Sequence, residues 1–532
     1  MFTETGISHS TLTHKGRMVW RKDGKQILLI AAGARVFAIA NRCPHEGYPL
    51  SEGTLGEGTL GESTPGGSCV LTCNWHNWKF DLASGAALIG RDPVRTYPVE
   101  LRGDAILVDL TDPPAEARRA HALQGLSMAL TYNDRAHMAR EVVRLERAGF
   151  DATLAVTAAM IACNGRLEDG MTHAHVAAAD WLALSQRAQT PARRLAALLE
   201  PLGHLAWDSA GGGHFPYPDC HIAWNGAAFL NAVEGEDEGR AIAHMRGALA
   251  DNIPYTELCP VLAKAALSHY ADFGHSAIYV FKTGQLLARL DRNAREPLLL
   301  SLTRSLVRAT REEHVPEFRG FTTARKAWNG GGASPSAEDF KGATIDHALA
   351  LTVAGAARDP HALHETLLQA AAWNMLHYDP AWEYASDGAL ADNVSWLDFT
   401  HALTFANAAR HLCEETPDLW PDALLQMALF IGRNKKYVNA GQDVSRWRVN
   451  DRTAFLTGAM DSLYDHGLPE PIIACHRLKV LFALEDELRA APDAAWAGDM
   501  CAAVNRYLNT PVKRHHGLRL ATQALAFIAR EG

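Results

Sequence analysis

Residues 43–50 read Cys-Pro-His-Glu-Gly-Tyr-Pro-Leu, and residues 73–82 read Cys-Asn-Trp-His-Asn-Trp-Lys-Phe-Asp-Leu. Each stretch begins with a cysteine and supplies a histidine two or three residues later. Thiolate and imidazole are the two side-chain donors that bind transition metals most readily in proteins. The sequence therefore offers one matched set of candidate ligands, namely Cys43, His45, Cys73 and His76.

The residues around these two stretches have the pattern of a small β domain. Short apolar runs are separated by turn signals such as Asp23-Gly24, a spacing that is typical of a barrel or sandwich. The runs occupy residues 18–20, 26–32, 35–40, 69–73, 78–82, 97–101 and 105–110. Pro113-Pro114 precedes an Ala/Arg/Glu-rich segment and marks a boundary. We therefore expect an all-β domain over residues 1–113.

Two kinds of metal centre use two cysteines and two histidines. In a [2Fe–2S] cluster of the mixed type, the cysteines bind one iron and the histidines bind the other. A structural zinc site requires the same four residues, so the ligand set alone leaves both open. Cys69 lies at the start of an apolar run and is interpreted as a strand residue, not as a ligand.

The residues that follow each ligand pair resemble the Rieske [2Fe–2S] ferredoxin and oxygenase family. The resemblance rests on residues 46–50 after the first pair and on residues 77–82 and Gly85 after the second, and it covers roughly residues 8–110. It implies a bound [2Fe–2S] cluster. The disulfide-forming cysteines of the high-potential, cytochrome-complex type are missing next to both ligand pairs, so the resemblance implies a low-potential electron carrier.

The segment between the two ligand pairs, residues 46–72, is longer than this family usually shows. It contains a near-duplication, because Gly-Thr-Leu-Gly-Glu occurs at residues 53–57 and again at 58–62. We interpret the duplication as a loop expansion, which costs little free energy.

From about residue 125 the apolar residues recur with the period of a helix, which predicts an all-α domain over residues 125–532. Segments that begin with histidine repeat along it, at His175, His221, His275, His347, His401 and, less clearly, His476. The intervals between them are long enough for a helix, a loop and a return helix. The pattern predicts helical hairpins that form an open solenoid or a closed α/α toroid.

Histidines that open the first helix of each hairpin would all lie at one end of the array. His269 and His377 end return helices and would reach the same end, where His173 could join them. An imidazole at a helix N-terminus stays neutral, which is the form that binds metal. The predicted metal ligands are His175, His221, His275, His347 and His401. The predicted catalytic residues are His269, His275, His347 and His401.

Aspartates precede several of these histidines, at Asp219, Asp272, Asp346 and Asp398. Aspartate is a common N-cap, because its carboxylate accepts hydrogen bonds from unpaired amides at a helix start. One of them could instead complete a site of two histidines and one carboxylate, a common non-haem iron centre.

Three short segments of the helical part, residues 171–175, 273–278 and 394–408, resemble the questin oxidase family. The resemblance would extend over roughly residues 130–480. It implies a helical enzyme that uses O₂ on aromatic compounds of the polyketide type.

We therefore predict a Rieske-dependent oxygenase that oxidises a small organic, possibly aromatic, substrate at a non-haem iron in the helical domain. The sequence contains no flavin or nicotinamide motif, so an external flavin or ferredoxin reductase is the expected electron donor. One alternative is an acid–base site of histidines without a second metal. Another is a Rieske electron-transfer or redox-sensing protein whose helical domain is a metal-free binding scaffold.

Composition restricts the remaining possibilities. The chain has 532 residues and a formal net charge of -9, and it lacks the basic stripe of a nucleic-acid-binding protein. No apolar run approaches the length of a membrane span. The nine cysteines are scattered and the N-terminal sequence has no signal-peptide pattern, so a reducing cytoplasm is the expected location. Homo-oligomerisation is possible by resemblance to Rieske oxygenases.

Overall fold

The computed structural model describes residues 1–33, 35–57, 69–513 and 516–531. The chain divides into two compact units, Met1–Ala155 and Val156–Gly532. The second copy of the duplicated pentapeptide, residues 58–62, lies outside the described residues.

The first unit begins with antiparallel β-structure. Its strands are β1 (Phe2–Ser8), β2 (Arg17–Lys22), β3 (Lys25–Ala32), β4 (Arg35–Ala40), β5 (Thr54–Glu57), β6 (Cys69–Thr72), β7 (Lys79–Asp81), β8 (Ala87–Ile89), β9 (Thr96–Tyr97), β10 (Val99–Arg102) and β11 (Ala105–Asp109). They form three sheets with the strand orders β1-β11-β10, β2-β3-β4-β9 and β5-β6-β7-β8. The third sheet carries the second ligand stretch.

Strand β3 shows why these residues form a sheet with two covered faces. Its apolar side chains alternate between the faces, because successive residues of a strand point in opposite directions. Leu28 and Ile30 pack in one core, which also contains Cys43 and Cys73. Residues 27 and 29 pack in the other core, against β11. The two cysteine ligand candidates are thus anchored in a hydrophobic core.

Helices complete the first unit. They are α1 (His9–Lys15), α2 (Ala115–Thr131) and α3 (Arg135–Arg147), and α4 (Thr153–Cys163) begins within it. Helix α2 begins directly after Pro114, where the sequence predicts the change from strand to helix. Helices α2 and α3 pack against each other, and the compact units separate only after Ala155.

Apart from short 3₁₀ turns, the second unit is built from α-helices in the part of the chain that the structure describes. After α4 these are α5 (His173–Arg187), α6 (Pro191–Ser209), α7 (Gly226–Glu234), α8 (Glu238–Ala250), α9 (Tyr255–Leu267), α10 (His275–Leu287), α11 (Arg295–Arg308), α12 (Gly320–Lys326), α13 (Ala337–Phe340), α14 (Ile345–Ala354), α15 (Pro360–Leu376), α16 (Ala381–Tyr384), α17 (Trp396–Glu415), α18 (Trp420–Asn434), α19 (Arg452–Ser462), α20 (Pro471–Ala490), α21 (Ala497–Asn509) and α22 (Gly517–Ile528).

Four of these helices form a ring of neighbours inside the second unit. Helix α5 packs on α10, α10 on α17, α17 on α20, and α20 on α5. Their sequences are apolar on most sides; in α17, for example, the residues from Phe399 to Ala409 are all buried. A helix that is hydrophobic all round is one that other helices cover. We call α5, α10, α17 and α20 the inner bundle.

The predicted order, a β domain followed by a large helical part, is confirmed. Closure of the helical array into a toroid stays a prediction. No helix in the described part of the chain combines the length and the apolar character needed to cross a membrane.

Candidate functional site

The two ligand stretches of the first unit fold into matching loops. In the first, the amide of Cys43 donates to the carbonyl of Tyr48 (2.9 Å) and the amide of Gly47 donates to the carbonyl of Cys43 (2.8 Å). In the second, the same bonds join Cys73 to Trp78 (2.7 Å) and Asn77 to Cys73 (3.0 Å). Gly47 and Asn77 both have positive φ, of 74° and 59°. Glycine and asparagine tolerate that conformation, so both loops close in the same way.

These loops bring the four candidate ligands together. The Nδ1 atoms of His45 and His76 lie 3.1 Å apart, while both cysteines are buried. Burial raises the pKa of Cys43 to about 11, although the backbone amides of His45 and Glu46 point at its sulfur and oppose this shift. Amides aimed at a sulfur stabilise the thiolate that an iron ligand must be. The donor set fits two irons, one bound by sulfur and one by imidazole.

The two imidazoles differ in exposure. His45 is half-buried and stacks on Trp78, with ring centroids 4.7 Å apart and planes at 11°. His76 is exposed, and beside it Trp75 has 61% of its surface accessible. The outer edge of His76 is therefore open to a partner on this face, whereas the loops and Trp78 shield His45.

A second cluster lies in the inner bundle. The ligand atoms of His173, His401 and His476 all lie within 4.8 Å of one another, and His275 joins them through His173. The Nε2 of His173 is 3.0 Å from that of His275 and 3.5 Å from that of His401. The Nε2 atoms of His401 and His476 are 3.3 Å apart. Each helix of the inner bundle contributes one of these side chains. We call His173, His275, His401 and His476 the histidine cluster.

The hydrogen bonds of the cluster fix the ring protons. The Nδ1 of His401 donates to the carbonyl of Leu397 (2.8 Å), and that of His476 donates to the carbonyl of Ile472 (2.8 Å). The Nδ1 of His275 donates to the carbonyl of Asp272. A neutral imidazole that carries its proton on Nδ1 has a lone pair on Nε2. The Nε2 lone pairs of His401 and His476 thus face each other at 3.3 Å, and that of His275 faces the Nε2 of His173.

Protonation does not remove these Nε2 lone pairs. Burial lowers the pKa of His275 to about 3. Burial also lowers the pKa values of His173, His401 and His476 well below their ordinary value, and neighbouring imidazoles add to the effect. The rings are neutral at physiological pH, so their Nε2 lone pairs are available to a metal cation.

A strained turn positions His275. Asp272, Phe273 and Gly274, which precede helix α10, all have positive φ, of 53°, 47° and 78°. This turn directs the Asp272 carbonyl at the ring of His275. A Cβ atom on Gly274 would lie 2.6 Å from the ring of Phe405 on α17, so glycine is required there. Backbone strain of this kind persists where the surrounding structure holds it in place, often at functional sites.

Buried charges lie deeper in the inner bundle. Lys479 is one turn after His476, and its amine is buried with no hydrogen-bond partner among the described residues. Burial lowers the pKa of Lys479. Asp180 and Lys282 lie two turns after His173 and His275 and form a buried ion pair at 2.6 Å. Sequence reasoning missed all three, although a charged residue within an apolar helix is a usable signal.

A cavity of about 390 Å³ reaches the cluster at His173. Its wall also includes His204, Trp207 and Asp208 of α6, together with residues 469–472 at the start of α20. Its volume lies within the range that small-molecule sites occupy. The cavity provides a route by which a small molecule can approach the cluster.

The structure brings together only part of the predicted histidine set. His275 and His401 belong to the cluster, as does His173, which the sequence offers only as an additional candidate. His476 is the weakest of the sequence repeats. His275 opens its helix as predicted, and His173, in place of the predicted His175, opens α5, whereas His401 and His476 lie in the second turn of their helices.

The other predicted histidines lie elsewhere. His221 and His347 are exposed. His175 is buried on α5, but its Nδ1 accepts the amide of Thr172 at 3.2 Å as part of a capping box. His377 donates from Nδ1 to the carbonyl of Trp373 at 2.9 Å and is not a cluster member. Asp398 closes the capping box of α17 with Ser395, which is the structural role that aspartate at a helix start predicts.

His269 lies outside the cluster for a clear reason. Its Nδ1 bonds Glu313 and its Nε2 bonds Glu234 at 2.7 Å, so both ring nitrogens act as donors. Glu313 first, and then Glu234, raise the pKa of His269 against the opposing effect of burial. A charged imidazole with two donated protons has no lone pair for a metal.

This geometry predicts a pH-dependent stability contribution from His269. A raised pKa in the folded state gives stability that is fully present below the unfolded pKa and is lost as the pH rises through the folded value. Hydrogen bonds to charged groups contribute about 1.5–3 kcal/mol, and the 24% exposure of His269 reduces this to about 1 kcal/mol. We expect His269→Gln to be less stable than the parent at pH 6, with a smaller difference at pH 9.

Urea unfolding at several pH values checks this result, and iron content serves as the control. A difference in stability that does not change with pH would contradict the assignment of a charged His269. Loss of iron in His269→Gln would restore its predicted catalytic role.

The comparison with known proteins concerns the first unit. Residues 7–98 match the family described as the Rieske [2Fe-2S] domain. The biphenyl 2,3-dioxygenase ferredoxin component of Rhodococcus jostii (strain RHA1) is 34% identical over 98 residues, which are 18% of this chain and 81% of that protein. The naphthalene 1,2-dioxygenase system ferredoxin component of Pseudomonas aeruginosa is 29% identical over 91 residues, 17% of this chain and 77% of that protein.

A larger relative matches over a smaller share of its length. The 4beta-methylsterol monooxygenase of Methylococcus capsulatus (strain ATCC 33009 / NCIMB 11132 / Bath) is 32% identical over 111 residues. The match covers 17% of this chain and 27% of that protein, so this chain spans about a quarter of the monooxygenase. The ligand residues Cys43, His45, Cys73 and His76 all lie within the matched family segment.

Proposed function

The chain belongs, through its first unit, to the Rieske [2Fe–2S] family, and from that premise we propose that it is a Rieske-dependent oxygenase. The Rieske domain implies a [2Fe–2S] cluster bound by Cys43, His45, Cys73 and His76. A cluster held there would accept electrons from a separate flavin or ferredoxin reductase. The histidine cluster would hold a non-haem iron, which would supply the site for the oxidation of a small organic substrate with O₂.

The proximity of these Nε2 atoms carries this proposal. Two nitrogens bound to one metal at about 2.1 Å lie about 3.0 Å apart when their bonds are at a right angle, and about 3.4 Å apart in a tetrahedron. The separations of 3.0, 3.3 and 3.5 Å fall in or near this range. A metal bound by His173, His401 and His476 would accept the Nε2 lone pairs that the neutral rings of His401 and His476 direct at each other.

The electron carrier in the first unit favours a redox-active metal over zinc in the histidine cluster. Imidazole binds zinc, copper, iron and nickel, so the ligands alone do not select one. A low-potential electron carrier in the same chain requires an acceptor that changes oxidation state, which zinc does not. Iron bound there would supply a site for O₂ and for the incoming electrons.

The remaining residues of the site have supporting roles. The carbonyls of Asp272, Leu397 and Ile472 hold three of the rings with Nε2 directed inward, as backbone oxygens commonly do for metal-bound histidines. The cavity beside His173 admits the substrate, and Trp207 provides an apolar wall. The buried setting of the cluster limits access of water.

The test is the content of iron, zinc and acid-labile sulfide per chain, measured on protein made in iron-replete cells. We expect two sulfides with about three irons, of which two belong to the Rieske cluster. Reductase-dependent O₂ uptake should accompany the third iron. Two irons and two sulfides, with no other metal, would instead favour an electron-transfer or redox-sensing protein with a metal-free helical unit.

A further inference from the structure

A buried charge network lies beneath one of the Rieske ligands. Asp92, in the loop between β8 and β9, is fully buried. Two arginines of helix α3 bind it: Arg140 donates from Nε at 2.9 Å, and Arg144 donates from Nη1 and Nη2 at 2.8 and 3.1 Å. Helix α3 lies outside residues 7–98, so the matched Rieske segment contributes Asp92 and a separate part of the chain contributes both cations.

Arg140 joins this network to the cluster. Its Nη1 donates to the backbone carbonyl of His45 at 3.4 Å. Its Nη2 is buried without a hydrogen-bond partner among the described residues. One guanidinium therefore contacts both the buried carboxylate of Asp92 and the main chain of an iron ligand.

The loop that carries Asp92 supports the same ligand from a second direction. Gly90 has a φ of 115° and packs so closely on Trp78 that a Cβ atom would lie 2.5 Å from the indole. Trp78 in turn stacks on the ring of His45. The segment 90–92 thus holds His45 in two ways. Trp78 links the segment to the imidazole of His45, and Arg140 links it to the backbone carbonyl of His45.

His137 and Glu141 complete the network, and their arrangement with Asp92 has the composition of a metal site. Their ligand atoms and one of Asp92 lie within 4.8 Å of one another, and all three residues are buried. However, Asp92 and Glu141 already accept hydrogen bonds from Arg144. Two guanidinium ions neutralise the two carboxylates, so the group has no need of a metal cation.

We propose that Arg140, held by Asp92, is a positioning residue that tunes the Rieske cluster. It fixes the main chain at His45 and keeps a positive charge beside this ligand. Reduction adds one negative charge to the cluster, and a half-buried cation nearby favours the reduced state because partial burial weakens solvent screening. Hydrogen bonds and charges around an iron–sulfur cluster are established determinants of its potential. The proposal does not depend on the iron of the helical unit.

The test is a potentiometric titration of the full-length holoprotein, with the cluster followed by its EPR signal. We expect Arg140→Gln to shift the midpoint potential to a more negative value. Asp92→Asn removes the compensating anion and leaves the arginines in place, so we expect a shift to a more positive value. Opposite signs distinguish an electrostatic effect from general damage, which would not reverse its sign between the two variants.

Two further variants make the test decisive. Arg147→Gln changes an exposed arginine of the same helix and should leave the potential unchanged. Arg140→Lys retains the charge and should recover most of the shift that Arg140→Gln produces. If Asp92→Asn does not fold, the Arg140→Gln and Arg140→Lys pair decides. The proposal is overturned if Arg140→Gln has the same midpoint potential as Arg147→Gln, or if Arg140→Lys restores none of the shift. It is also overturned if Asp92→Asn and Arg140→Gln shift the potential in the same direction.

Discussion

Replacing His401 by alanine is expected to remove the iron of the helical unit and to abolish reductase-dependent O₂ uptake, while the Rieske spectrum stays intact. His401 is the member whose Nε2 lies close to those of both His173 and His476. Loss of a residue that only supports a metal ligand lowers metal affinity about 10–100-fold, so loss of a ligand should lower it further. Iron per chain should fall from about three to about two, with two sulfides retained.

A matched control is available on another helix. His347 was an equal candidate from the sequence, but its side chain is exposed on α14, so His347→Ala should keep both iron and turnover. His275→Ala should behave like His401→Ala, because His275 lies 3.0 Å from His173. Cluster absorbance and circular dichroism report whether each variant is folded. A folded His401→Ala chain that keeps the additional iron would exclude the histidine cluster as the metal site.

Replacing Cys73 by serine is expected to produce the reverse pattern. Cys73 is buried in the core next to Leu71 and Phe80 and supplies one of the two thiolates. Its loss should eliminate the Rieske EPR and visible signals and reduce reductase-dependent turnover to background. The iron of the helical unit should remain, because its ligands belong to the separate second unit.

Cys69→Ser provides the control for this variant. Cys69 is a half-buried residue at the start of β6, in the same sheet, and is not a ligand candidate. The Cys69→Ser chain should keep the cluster and the activity. Chemical reduction of Cys73→Ser, followed by O₂ and substrate, should still allow a single turnover. Full steady-state activity of the Cys73→Ser chain with the reductase would contradict the proposed electron path.

The Rieske ligands were predictable because they are close in sequence. Each pair lies within one tight loop, and the loop itself is determined by local residues such as Gly47 and Asn77. Most strands of the first unit were also visible as apolar runs between turns, and Pro114 marked the start of α2. Strand β1 was not predicted, because its sequence has few apolar residues. The short strands β5 and β8 were not predicted either, because three or four residues give little periodicity.

The histidine cluster was predictable only in outline. A histidine begins an apolar segment in both α10 and α14. Helix α10 belongs to the inner bundle, whereas His347 of α14 faces solvent. The useful signal was the surrounding sequence: the segment around His401 is mostly apolar and is buried on all sides, whereas His347 follows an exposed aspartate. Predicting which helices are covered by others requires knowledge of how the helices pack.

The sequence by itself determined the Rieske domain, its four proposed ligands, and the change to an all-helical second part. These features depend on residues that are neighbours along the chain, where spacing and turn chemistry act directly. The tertiary structure alone decided that His173, His275, His401 and His476 meet, because 102 and 228 residues separate His173 from His275 and His401. It also decided that Arg140 of α3 reaches His45, 95 residues away. Such contacts follow from packing, which no local pattern encodes.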